Sequence, residues 1–174
     1  MIKYITFLKV NFFVILFTHN LFAQQGVNYK EANNFDVAVT TGYFLPYKIT
    51  GVTDTYPFWG LTFGFPTLLS QIELMALHGR SKQVIFYKYS LGYRIDFSLY
   101  DAIQGFLSIG YEASTYKRAP STNRTYDFVT ESGLYTGFGA LIPIKGDLCF
   151  RSDFKFSFNP GKSLYVGLGF HYIF

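Results

Sequence analysis

Cysteine is almost missing from this 174-residue chain: Cys149 stands alone, so no disulfide can form within it. Charge is scarce as well, at 15% against about 25% in an ordinary soluble domain, which argues against a solvated globule. Long apolar runs are absent too. Although 49% of residues are hydrophobic, no segment past the N-terminus offers ~18 uncharged apolar residues in a row, which excludes a membrane-spanning helix there. No His, Cys, Asp and Glu grouping has metal-ligand spacing and no glycine-rich loop could cradle a phosphate, so neither a metal nor a cofactor is expected.

The first residues carry Lys3 and Lys9, then the apolar stretch from Phe12 to Phe17, then Leu21-Phe22-Ala23 before Gln24. This is the layout of a secretory signal over residues 1–23, cut after Ala23. Lys9 and Asn11 interrupt its apolar core, which falls short of the ~20 residues an anchor helix needs. No Cys follows the cut, which argues against a lipoprotein. Loss of Lys3 and Lys9 leaves 13 basic against 11 acidic residues.

What the chain has in abundance is aromatic residues, 21% of the total, together with 16 Gly. Gly weakens helices and aromatics suit a pleated surface, so both favour strands. At the C-terminus Leu164, Val166, Leu168, Phe170, Tyr172 and Phe174 occupy every second position, with Ser163, Tyr165, Gly167, Gly169, His171 and Ile173 between them. From Val84 to Leu99 the same alternation sets Ile85, Tyr87, Tyr89, Leu91, Tyr93, Ile95, Phe97 and Leu99 against Lys88, Ser90, Gly92, Arg94, Asp96 and Ser98. A period of two held this long is strand, and these runs match or exceed the ~9 to 11 residues of a tilted bilayer crossing.

Weaker alternation completes a set of eight: 35–44, 58–65, 69–78, 84–99, 104–116, 126–142, 145–159 and 163–174. Eight is even, as a single-chain bacterial barrel requires. The long polar links, 45–57 and 117–125, follow strands one and five, while tight links at 66–67, 100–102 and 143–146 follow strands two, four and six, so loops and turns alternate by side. The expected fold is therefore all-β, an eight-stranded antiparallel up-and-down transmembrane β-barrel. A cleaved signal at 1–23 and a periplasmic N-terminal tail at 24–34 precede the barrel at 35–174, and both termini lie in the periplasm.

An eight-stranded barrel is just wide enough inside for side chains to fill, so the small and polar face belongs inside and the aromatic face in lipid. Parity then puts Glu73, Lys88, Arg94, Asp96, Glu112, Glu131, Asp147, Arg151, Asp153 and Lys155 in the interior as an ion-pair network. Cys149 joins them as small filler. Lys48, Arg80, Lys82, Lys117, Arg118, Arg124 and Lys162 gather on the extracellular rim, where they would meet lipopolysaccharide phosphates. Tyr43, Tyr47, Tyr56, Trp59, Tyr87 and Tyr116 lie towards strand ends and form an interfacial girdle. On the cell exterior this basic patch has no nucleic-acid role, and the barrel is expected as a monomer.

On these patterns the chain resembles the small eight-stranded outer-membrane barrels of the OmpA/OmpX kind in Gram-negative bacteria over its whole mature length. Its ending, Gly169-Phe-His-Tyr172-Ile-Phe174, resembles the C-terminal signal of that family. The resemblance implies a cell outer-membrane location and recognition of Gly169, Tyr172 and Phe174 by the barrel-assembly machinery. It implies no catalytic residues. Lipid A deacylases and acyltransferases use this fold with His and Ser, the deacylases with a His-x-Ser pairing. Here His78-Gly-Arg-Ser81 has the wrong spacing and lies in a loop, and Tyr-Ile-Phe follows His171. The leading expectation is a non-enzymatic barrel serving envelope integrity or surface interaction; a lipid A enzyme and a small gated channel are the alternatives.

Overall fold

A computed structural model describes residues 34–47, 55–68, 70–81, 84–100, 103–118, 127–158 and 162–174. The signal at 1–23 and all of the tail at 24–34 except Asn34 lie outside the described residues. Eight strands follow in order: β1 (Asp36–Pro46), β2 (Tyr56–Pro66), β3 (Gln71–Arg80), β4 (Val84–Tyr100), β5 (Ile103–Arg118), β6 (Asp127–Lys145), β7 (Leu148–Ser157) and β8 (Ser163–Ile173). Each pairs antiparallel with its sequence neighbours, and β8 closes onto β1 to complete a barrel.

Alternation of burial follows alternation of sequence. On β3 Gln71, Glu73, Met75, Leu77 and Gly79 are buried while Ile72, Leu74, Ala76 and Arg80 are exposed and His78 is half-buried. The exposed outer face is a continuous apolar belt, with Val39, Trp59, Leu74, Leu91, Ile109, Leu134, Phe138, Leu168 and Phe170 among its members. A surface this apolar is stable only against hydrocarbon.

Strand boundaries shift from expectation where local chemistry outweighs period. β7 begins at Leu148, because Gly146 takes a left-handed φ of 56° and turns the chain between β6 and β7. Asp147 therefore sits exposed in that turn, not in the interior network, a correction to the parity assignment. Just before the turn the pairing steps from Pro143↔Cys149 to Lys145↔Leu148, leaving one extra residue on β6. β3 runs from Gln71 to Arg80 instead of 69–78, as Thr67 and Ser70 close the preceding turn through the Thr67 N–H to Ser70 carbonyl bond of 2.8 Å.

The interior divides into two halves. Near the termini it is charged. Near the loops it is aromatic, with Phe44, Tyr56, Phe58, Phe86, Tyr116 and Tyr165 packed together beside Met75, Leu77 and Val84. Rings inside were not expected, because an aromatic face would overfill eight strands. They fit because neighbouring positions are glycine: a methyl on Gly79 would strike Phe86 across the β3–β4 pairing, one on Gly167 the Tyr165 ring two residues before it on β8, and one on Gly92 or Gly110 Tyr135. Tyr56 and Tyr116, each 1% exposed, are thus core residues and not members of the girdle. Tyr43, Tyr47, Trp59 and Tyr87 are outward and exposed.

Candidate functional site

Strand pairing delivers charged side chains from β1, β3, β4 and β7 to one level of the interior. Arg94 spends its guanidinium on three carboxylates: Nη1 on Glu73 at 2.7 Å, Nη2 on Asp36 at 2.8 Å and Nε on Asp96 at 2.8 Å. Arg151 donates through Nη1 to Glu73 at 2.7 Å and through Nη2 to Asp153 at 2.8 Å. The Phe106 ring lies 4.7 Å from the Arg151 guanidinium and 5.7 Å from that of Arg94. Lys155 stands 4.0 Å from both Glu73 and Asp153 and 5.3 Å from the Tyr135 ring. Arg94, Arg151, Glu73, Asp36, Asp153 and Lys155 are all buried, so this is a desolvated network whose members depend on one another.

A second pair lies closer to the loops, where Lys88 donates to Glu112 at 2.8 Å and holds its ammonium 4.8 Å from the Phe44 ring. Glu131 is half-buried on β6. Of the ten residues assigned to the interior network, nine therefore occupy inward strand positions, with Asp147 outside. Parity reasoning missed Asp36, although it shares the face of Ala38 and Thr40, and it is one of the acids on Arg94.

His171 is buried against this network with Nε2 3.4 Å from the Asp36 carboxylate, near enough for charges to pair but not aligned for a hydrogen bond. Its cross-strand partners are Ala38 and Cys149, with no serine at either register position. His78 faces outward between Trp59, at 5.9 Å, and Tyr87, at 4.8 Å. The Ser81 hydroxyl instead accepts from the Val84 N–H at 3.1 Å and so fastens the β3–β4 turn.

The residues expected on the rim separate by location. Arg80 and Lys162 are exposed at the loop end, and Lys117 holds its ammonium 5.8 Å from the Phe128 ring. Arg118 ends β5, paired in register with Asp127. Lys48, Lys82 and Arg124 lie outside the described residues. At the opposite end Gly169 is paired between Thr40 and Arg151, while Tyr172 and Phe174 meet edge to face outside the barrel at 4.9 Å. The N–H of Phe174 donates to the Phe35 carbonyl at 2.9 Å, joining the two ends of the barrel.

No protein-family model and no curated protein matches the sequence. Solved structures do match its shape. Neisserial surface protein A superposes with a TM-score of 0.70 at 10% identity, covering 80% of this chain and 97% of that one. The fold is that of the small outer-membrane barrels. The N-terminal barrel of Pseudomonas aeruginosa OprF agrees at a TM-score of 0.61 and 13% identity, covering 82% of this chain and 98% of its own. Ail, the attachment invasion locus protein of Yersinia pestis, follows at 0.59 and 12%, covering 82% and 99%. With the apolar belt, these likenesses give the chain the architecture of a membrane-spanning barrel.

Proposed function

We propose that this chain is a non-enzymatic outer-membrane protein of a Gram-negative bacterium, contributing to envelope integrity or surface interaction through contact with lipopolysaccharide. The observation that carries this reading is the division of labour across the wall. Inside, paired charges and stacked rings fill the barrel; outside, grease covers the belt, and the cations Arg80, Lys117 and Lys162 collect at the loop end. The signal at 1–23 would export the chain, and Gly169, Tyr172 and Phe174 would present it to the assembly machinery. Interior crossing by Arg94 and Arg151 favours a plug over a conducting pore.

The test is expression of the whole chain in a Gram-negative host. Heat-modifiable mobility in the outer-membrane fraction, an unchanged lipid A mass spectrum against an empty vector, and lipopolysaccharide association that falls when the rim cations become Gln would support the reading. A gained or lost acyl chain on lipid A would overturn it in favour of an enzyme. Association indifferent to all the rim cations would remove lipopolysaccharide as the partner.

A further inference from the structure

The outward side chains of β3, β4 and β5 form four successive rows whose chemistry changes in order from the loop end towards mid-belt. Arg80, Ile85 and Lys117 are direct cross-strand partners in the first row. His78, Tyr87 and Thr115 make the second, with Trp59 on β2 as the other neighbour of His78. Ala76, Tyr89 and Ala113 make the third, and Leu74, Leu91 and Tyr111 the fourth. Charge, polar ring, small side chain and grease thus follow one another down the same three strands.

The third row is the recess. Two alanines flank Tyr89, and the surface opens there into an apolar groove of about 440 Å³ walled by Leu74, Leu91 and Tyr111. That volume is in the range of small-molecule sites, which run from ~300 to 1,000 Å³. From each alanine the cation on the same strand face is four residues away, Ala76 to Arg80 and Ala113 to Lys117, or about 13 Å at ~3.3 Å per residue. The two cations stand two strands apart, roughly 10 Å.

Between groove and cations, Nδ1 of His78 is buried without a hydrogen-bond partner among the described residues. Among the described residues, the sequence of a cation pair, a polar ring and an alanine row is found on β3 to β5 alone. At the loop ends of the other strands the outward residues include Tyr43 and Leu45, Trp59, Phe128, Phe156 and Leu164, and the one exposed cation described there, Lys162 just before β8, has no described cationic partner two strands away.

We propose that this face holds one phosphorylated glycolipid of the lipid A type, its phosphates on Arg80 and Lys117, a polar linkage at His78 and an acyl chain laid over Ala76 and Ala113. A cation pair spread over two strands suits a lipid with more than one phosphate better than a headgroup with one. The proposal rests on the outer-leaflet contact proposed above and narrows it to a single groove.

Native mass spectrometry of the purified chain, equilibrated in phosphatidylcholine nanodiscs with either diphosphoryl lipid A or phosphatidylglycerol, tests it. One lipid A should remain bound to the wild type. At least tenfold less should remain on Arg80→Gln/Lys117→Gln, and equally little on Ala76→Phe/Ala113→Phe, which fills the groove and leaves both cations in place. Lys145→Gln, at the far end of the barrel, should retain it fully.

Trp59 is the single tryptophan of the chain, so lipid A should shift its emission in the wild type and not in the groove variant. Heat-modifiable mobility verifies that each variant is folded; should Ala76→Phe/Ala113→Phe not fold, Ala113→Leu alone replaces it. Full retention by both site variants would overturn the groove while sparing the outer-leaflet contact. A wild type that retains no lipid A would overturn that contact itself. Equal retention of phosphatidylglycerol would overturn the choice of a glycolipid.

Discussion

Arg94 and Arg151, from strands on different sides of the barrel, both donate to the same oxygen of Glu73, each at 2.7 Å. One carboxylate on β3 thereby ties β4 to β7 across the interior. Two guanidiniums can sit this close only because that oxygen lies between them.

Glu73→Gln should therefore be among the most damaging interior changes. It leaves buried cations facing one another, and breaking a buried pair costs about 3 to 5 kcal/mol. Unfolding by guanidinium in lipid vesicles should show this loss. A cost under about 1 kcal/mol would mean that Asp36, Asp96 and Asp153 suffice to balance the arginines.

Gly92 carries a second dependence, because a methyl placed there would collide with the Tyr135 hydroxyl. Gly92→Ala should destabilise the barrel by about 1 to 3 kcal/mol, the usual range for overpacking. Tyr135→Phe removes the clashing oxygen, so the double variant should be more stable than the sum of the two single effects predicts. A strictly additive cycle would place the strain elsewhere, in the backbone around the Ile109 carbonyl.

On the lipid face the expectation is one of depth. Leu91→Arg lies mid-belt and should cost about 2 to 4 kcal/mol, whereas Leu99→Arg, near the strand end, should cost about 0 to 1. Equilibrium unfolding in vesicles measures both. Equal costs would contradict a membrane boundary between these two positions of β4.

Deletion of Phe174 separates structure from recognition. The residue is exposed, and within the fold it contributes one hydrogen bond and ring contacts with Phe35 and Tyr172, so stability should fall by only about 1 kcal/mol. Assembly in cells should fall far more, while unassisted folding into liposomes stays near the wild-type rate. Equal losses in both settings would reduce the terminal residue to a packing role.

Much of this barrel is legible from period alone. β4 and β8 could be read almost to the residue, because over sixteen and twelve positions every second residue is apolar, which leaves no competing pattern. β7 was over-extended at its start because period carries no information about the left-handed turn at Gly146, and Asp147 went with it. Tyr116 shows a different failure. It shares parity with Glu112 and so belonged inside, yet its nearness to a strand end suggested a headgroup anchor.

The aromatic half of the interior was hidden for a related reason. For Phe86 and Tyr135 the fit depends on a glycine across the pairing register, Gly79 and Gly110, and register between strands is not visible in one strand's pattern. Asp36 escaped notice because it is the first residue of a short and weakly alternating strand.

The seam between β1 and β8, which runs from Asp36↔Ile173 to Pro46↔Ser163, joins the beginning of the domain to its end. Until it closes, β1 and β8 are both open edges of unsatisfied amides in a medium that offers no water to satisfy them. The entropy of bringing such distant ends together grows only slowly with chain length, so the obstacle to forming this barrel is one of order and timing more than of equilibrium. The seam is the last bond line that can be made, and no partial length of the chain can make it. A nascent barrel must be sheltered whole until its final strand arrives.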